Sequence, residues 1–212
     1  PTVTSSGQKP RAMLTPTVYM DVDGRYKGLD QNVHFFMRKP AGEQGLKAQR
    51  LHQSVNTLSS ASDGSVPFTN YTTFSLWDTY RALHPLLNII QPARNRDMVR
   101  SMLAHYDQSV HKMLPVWSHY ANENWCMIGY HSVSVIADAI VKGNLTGPDA
   151  MKALAASAQT ARTKYYDGLE YYIKMGYVPE DKNSSSVSKT LEYAYDDWCI
   201  AQAAKKLDRT DI

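Results

Sequence analysis

Within TNYTTFSLWDTYRALHPLLNIIQP, residues 69–92, an indole, a carboxylate and a guanidinium stand almost side by side as Trp77, Asp78 and Arg81. An ionised carboxylate accepts hydrogen bonds from two neighbouring hydroxyls and an indole covers the apolar face of a pyranose, so Trp77 with Asp78 suits a sugar. A plainer reading exists: an Asp78–Arg81 ion pair at i, i+3 on a helix surface. A second dense stretch, HKMLPVWSHYANENWCMIGYHSV, residues 111–133, collects Trp117, His119, Asn122, Glu123, Trp125, Tyr130 and His131 in a Pro-containing loop that runs into a helix. Loop-borne polar and aromatic groups on a rigid scaffold are where binding and catalysis concentrate. Single His and Tyr residues also serve as satisfied structural groups.

Other carboxylates are less suited to chemistry. DVDGRYKGLD, residues 21–30, clusters acids around Gly24, but the third acidic position, the Gly spacing and the terminal Glu of the twelve-residue calcium loop are out of place. A turn is expected there. Asp196 and Asp197 are adjacent on a helix and point about 100° apart, so they cannot flank one bond as a glycosidase acid and base do. For either, a solvated helix charge or a pair with Lys189 is expected. No His-Glu-x-x-His motif and no Ser nucleophile elbow occurs. Cys126 and Cys199 lack the neighbours of a zinc site and are too few for a disulfide scaffold, so two buried free thiols are expected. The sequons at Asn70, Asn144 and Asn183 carry meaning only in a eukaryotic secretory protein.

These residues need a scaffold, and the chain has the composition for one. Its 212 residues, 43% hydrophobic and 20% charged, allow one large domain or two small ones. Twenty-three basic residues against 20 acidic ones give a net charge of +3 with no basic block, which argues against nucleic acid. Fourteen Tyr and four Trp against four Phe bias the aromatic set toward rings with a polar handle. No apolar run reaches the roughly 18 residues of a membrane span, and PTVTSSGQKPRAM has no signal-peptide pattern, so the start reads as internal or processed.

Residues 1–12 read as a polar tail, 13–34 as a turn or short β segment, and 35–67 as an irregular insertion with at best a helical fragment at 46–58. From Thr73 the pattern is helical. An opening helix places Leu76, Tyr80, Leu83, Leu87 and Ile90 on one stripe. A second, Asp97 to Gln108, offers Val99, Met102, Leu103 and Tyr106. A third, Ile128 to Lys142, offers Val135, Ile136, Ala139 and Ile140 before a Gly143 cap. A fourth starts at Thr146-Gly-Pro148-Asp149, with Thr146 as cap and Pro148 in the first turn. A fifth runs from Gly168 to Met175. The sixth, Ser188 to Leu207, is expected to turn Leu191, Tyr195, Trp198 and Ala201 toward the core. Six helices with short connections and no long strand imply an all-α fold of successive hairpins over 68–212, too many for a four-helix bundle.

Taken together, YMDVDGRYKGLD, NYTTFSLWDTYRALHPLLNIIQP, MLPVWSHYANENWCMIGYHSVSVIADAI and SKTLEYAYDDWCIAQAAKKL resemble successive blocks of the family 92 glycoside hydrolases. The resemblance covers residues 13–34 and 68–207, in order, and leaves out 1–12 and 35–67. It implies part, about half, of an (α/α)6 toroid, which in the family follows a β-sandwich. It also implies the activity of a calcium-dependent, inverting exo-α-mannosidase acting on N-glycans or mannan, exported by a bacterium. By the same resemblance Trp77 and Asp78 line the terminal-mannose subsite, and Glu123 and His131 belong to an adjoining one. The catalytic acid and base and the calcium ligands are expected outside these 212 residues. The alternative is a non-catalytic carbohydrate-binding or interaction module built on the same fold.

Overall fold

The computed structural model describes residues 16–21, 24–35, 68–209 and 211–212. The expected tail at 1–12 and nearly all of the stretch 35–67 lie outside the described residues. Three two-stranded antiparallel ribbons and seven helices make up the described part. β1 (Thr17–Val18) pairs with β4 (Tyr71–Thr72), and β2 (Arg25–Lys27) pairs with β3 (Val33–Phe35). Before β2 the Gly24 N–H donates to the Asp21 carbonyl at 2.9 Å. Asp30 is engaged by Asn32 and His34 within the β2–β3 hairpin.

The helices are α1 (Leu76–Thr79), α2 (Leu83–Ile90), α3 (Pro92–Gln108), α4 (Ser132–Val141), α5 (Gly147–Thr160), α6 (Leu169–Met175) and α7 (Ser186–Lys206). Between α3 and α4 lies the third ribbon, β5 (Ser118–His119) with β6 (Asn122–Glu123). The described chain is thus built of helices, with short β ribbons in its N-terminal segment and in the loop before α4.

α4 organises the core. Val133, Val135, Ile136, Ala139 and Ile140 are all buried, and even Ser132 and Ser134 are covered. A helix apolar on nearly every side must be enclosed by others, and α4 packs against α2, α3, α5 and α7. It stops where expected: Gly143, at φ +75°, takes the left-handed conformation that closes a helix end. α5 begins with Thr146 at its N-cap and a proline in its first turn, although the Thr146 side chain makes no capping bond.

Several expectations need correction. The opening helix is broken into α1 and α2 at Tyr80–Ala82, because Pro85 has no N–H and its ring would clash with the carbonyl four residues back. A helix restarting at Leu83 places Pro85 in the first turn, where neither matters. As a result Ile90 is 59% exposed rather than part of the buried stripe. α3 begins at Pro92, five residues before the expected start at Asp97, again with proline in the first turn.

α7 is turned the other way from expectation. Leu191, Tyr195 and Trp198 are exposed by 65%, 38% and 59%, while Lys189, Tyr193, Asp196 and Ile200 face the core. Buried charge decides this. Asp196 is held by His131 and the Tyr130 N–H, and the buried Lys189 bonds Asp167 at 2.7 Å rather than either Asp196 or Asp197. Cys199 is buried as expected, but Cys126 lies exposed in the loop before α4.

Candidate functional site

The site is assembled where α1, the 115–131 loop and α7 meet. Residues 74–76 run alongside the loop: the Phe74 N–H donates to the Ser118 carbonyl at 2.9 Å and that of Leu76 to the Val116 carbonyl at 3.4 Å. Ser75 is thereby set against Trp117. The Trp117 indole N–H donates to Ser75 Oγ, and the Ser75 hydroxyl in turn donates to Asp78 Oδ2. A hydroxyl has one proton; with its oxygen accepting from the indole, that proton is directed at the carboxylate. Asp78 Oδ1 has no partner assigned by this arrangement and remains available for a hydroxyl.

Arg81 does not pair with Asp78. Its Nε donates to the Trp77 carbonyl at 3.2 Å, and its guanidinium lies 4.5 Å from the Trp77 ring centroid and 4.8 Å from that of Tyr80. These are cation–π distances. One face of the Trp77 indole is therefore covered.

Behind Trp77 lies a chain of charged groups. The Trp77 indole N–H donates to Glu192 Oε1 at 3.0 Å. Glu192 Oε2 contacts His131 Nε2, and His131 Nδ1 bonds Asp196 Oδ1 at 2.9 Å. Asp196 Oδ2 accepts the Tyr130 N–H at 2.8 Å. The His131 ring is 1% exposed and stacks on Tyr80 at a centroid distance of 4.0 Å. Burial alone would push the imidazole down, but the bonds and charges of Asp196 and Glu192 outweigh it and raise the group above its ordinary value. While both carboxyls are ionised, each ring nitrogen donates and the ring is an imidazolium; burial pushes the Asp196 carboxyl up, against the pull of His131.

Glu123 takes a different place. Its oxygens accept backbone N–H groups from Val116 at 2.9 Å, Trp117 at 2.8 Å and Trp125 at 3.0 Å. Burial pushes this carboxyl above the ordinary range, against the opposing pull of those donors. It fixes the loop that carries Trp117 and so reaches Asp78 only through Trp117 and Ser75.

The loop itself is strained. Tyr120, Trp125 and Met127 adopt φ of +55°, +54° and +68°, a region that costs non-glycine residues energy. Gly129 follows at φ +80°, and a Cβ there would come within 2.7 Å of His131 Cε1 and 2.9 Å of Cδ2. Only glycine lets the imidazole lie against the chain.

The structure thus links Trp77 to His131 through Glu192, and Asp78 to Trp117 through Ser75 with Glu123 holding that loop; the two sets meet only at the sequence neighbours Trp77 and Asp78. Glu192 and Ser75 were missed from the sequence. Glu192 and Asp196 stand four apart, the spacing that puts two carboxylates on one helix face; that pattern, facing the dense 111–133 stretch, was the available signal. Asp197 is occupied elsewhere, accepting from the Tyr130 hydroxyl at 2.7 Å and the Tyr172 hydroxyl at 3.2 Å.

Residues 11–212 match the model of the glycosyl hydrolase family 92 catalytic domain. The chain belongs to glycosyl hydrolase family 92. Among solved structures, it is 52% identical to the family GH92 alpha-mannosidase BT3965 from Bacteroides thetaiotaomicron, with a TM-score of 0.76, both for that protein alone and for its complex with mannoimidazole. The likeness covers 92% of this chain and 22% of that one, so this family 92 chain spans about a fifth of its relative's length. A comparison with curated proteins returns no match. The described family 92 segment has no helix long and apolar enough to cross a membrane.

Proposed function

We propose that this chain is part of the catalytic domain of an exo-acting α-mannosidase, one that removes terminal α-1,2-linked mannose from N-glycans or mannan. The observation that carries the reading is the family match over residues 11–212, together with 52% identity to a bacterial α-mannosidase solved with mannoimidazole. In this proposal the remainder of the catalytic toroid and an N-terminal β-sandwich complete the protein, which a bacterium exports.

Trp77 and Asp78 are the sugar contacts. Asp78 accepts from the vicinal hydroxyls of the terminal mannose at Oδ1, the oxygen Ser75 leaves free, and the indole face opposite Arg81 packs on the pyranose ring. Glu123 and His131 have their polar atoms engaged by protein groups, so they shape the subsite from behind. Hydrolysis proceeds by single displacement: a carboxylic acid protonates the leaving oxygen and a carboxylate activates water on the opposite face. Both groups are proposed, as the family resemblance implies, to lie in the part of the enzyme outside this chain; Asp196 and Asp197 bond His131, Tyr130 and Tyr172. Calcium is proposed for the whole enzyme. Among the described residues no three His, Cys, Asp or Glu side chains gather as cation ligands do, so no step is assigned to the ion here.

The test is hydrolysis of α-1,2-mannobiose by the protein that contains this chain, with the anomer of the released mannose followed by NMR. Asp78→Ala should lower kcat/KM at least about tenfold, since each charge-assisted bond contributes roughly 1.5–3 kcal/mol. Its melting temperature should hardly move. Unchanged kinetics with lowered stability would return Asp78 to a structural role. Mannose binding without turnover would favour the non-catalytic module.

A further inference from the structure

Asp78 and Glu192 are the carboxylates bonded to Ser75 and Trp77, respectively, and among the described residues Asp78 Oδ1 meets no hydrogen-bond donor. Glu192 has both oxygens engaged: one by the Trp77 indole at 3.0 Å, the other by His131 Nε2. Its side chain is 19% exposed, and it reaches Trp77 from 115 residues away in sequence. We propose that Glu192 is a positioning residue of the sugar subsite, a strut from α7 that fixes the orientation of the Trp77 indole through its N–H. The inference rests on the reading of Trp77 and Asp78 as sugar contacts.

Geometry makes the strut stiff. α1 has only four residues and carries no side-chain cap, so its own backbone does little to hold Trp77. An indole has one polar atom, a donor, and a bond at that atom fixes rotation about both of its side-chain torsions. Glu192 is in turn prevented from swinging away, because its second oxygen is held by an imidazole that Asp196 anchors on the far side and Tyr80 covers. Arg81 over the ring completes the clamp from solvent. Loss of Glu192 would leave the indole free to rotate about its bonds while Asp78, held through Ser75 and Trp117, stays in place.

Two substitutions separate the strut from general stability. Glu192→Gln keeps an oxygen for the indole and turns its amide toward His131 Nε2, which as a neutral ring accepts it; the network stays satisfied. Glu192→Met has nearly the same shape and no acceptor. On α-1,2-mannobiose, Glu192→Met should raise KM about tenfold with a smaller change in kcat, as expected for loss of one charge-assisted bond, while Glu192→Gln stays within about threefold of the parent. In a Trp77→Phe background, which removes the N–H, Glu192→Met should add less than about twofold. Equal, additive losses in both backgrounds would overturn the positioning role.

A readout independent of activity comes from 5-fluorotryptophan labelling of the protein that contains this chain, with the Trp77 resonance assigned through Trp77→Phe. That resonance should shift or broaden in Glu192→Met and be retained in Glu192→Gln; no change in either overturns the inference. If Trp77→Ala leaves mannobiose kinetics untouched, the subsite reading fails instead. Should Glu192→Met not fold, Glu192→Gln still decides: a loss as large as that of Trp77→Ala contradicts an exchangeable acceptor.

Discussion

Gly129→Ala tests the packing behind the site most directly. The added methyl would stand 2.7 Å from His131 Cε1 and 2.9 Å from Cδ2, with Nε2 nearest of all, and the residue would keep φ of +80°. The left-handed conformation costs a residue with a Cβ about 1–2 kcal/mol. Relief of the clash costs more, because the ring cannot retreat: Tyr80 stacks on it at 4.0 Å and a carboxylate holds each nitrogen. Overpacking of a fixed core group costs about 1–3 kcal/mol. The sum is about 2–5 kcal/mol, and in a domain of this size that lowers the melting temperature by about 5–15 °C. Denaturant unfolding of Gly129→Ala, His131→Ala and the double variant measures both parts. With the ring absent, the added methyl should cost only the conformational share, about 1–2 kcal/mol. An equal cost in both backgrounds, or a loss below about 1 kcal/mol in the parent, would refute the idea that Gly129 exists to admit the imidazole.

Three shorter tests address the surrounding elements. His131 has a raised pKa, so the stability it contributes is complete below its unfolded value of about 6.5 and is lost as pH rises through the higher folded value; the unfolding free energy of the parent minus that of His131→Gln should therefore shrink from pH 6 to pH 9, and a difference that is flat or grows would mean a neutral ring. Glu123→Ala leaves the Val116, Trp117 and Trp125 N–H groups without their acceptor, which should cost about 2–4 kcal/mol after partial hydration and speed proteolysis around Cys126, with Glu123→Gln losing less. Leu191→Lys with Trp198→Gln should reduce self-association of the 212-residue chain in sedimentation and leave its melting temperature within about 2 °C, since both side chains are exposed; a large drop would place them in a core.

What could be read from the sequence was local. The caps at Gly143, Thr146–Pro148 and Gly176 depend on residues within one turn of the helix end, and the structure ends or begins helices at those places. The break at Tyr80–Ala82 was equally local, yet the apolar stripe of residues 76–90 outweighed the message of Pro85. The face of α7 was not local at all. An amphipathic reading turns Leu191, Tyr195 and Trp198 inward; the structure turns them outward because Asp196 finds His131 at a separation of 65 residues and Lys189 finds Asp167 at 22. In the loop, the density of polar and aromatic residues was visible, but left-handed Trp125 and Met127 leave no mark in composition. The Trp77–Asp78 pair drew attention by residue type, whereas Glu192 acquires its place only when α7 packs beside α1.

The buried triad of Glu192, His131 and Asp196 is a poor source of net stability. Removing two carboxylates and an imidazolium from water costs as much as their attraction returns, and apolar residues of equal volume often serve as well in such positions. What apolar residues lack is direction. A hydrogen bond fails within a few tenths of an ångström or a few tens of degrees, so each link in the series from the Tyr130 N–H through Asp196, His131 and Glu192 to the Trp77 indole fixes one element against the next. The loop before α4, the inner face of α7 and the short helix α1 are thereby held in one register. A sugar's hydroxyls discriminate between orientations of the groups that receive them just as sharply. The placement of charge in the interior, at no evident gain in stability, is what a subsite needing one orientation of Trp77 would require.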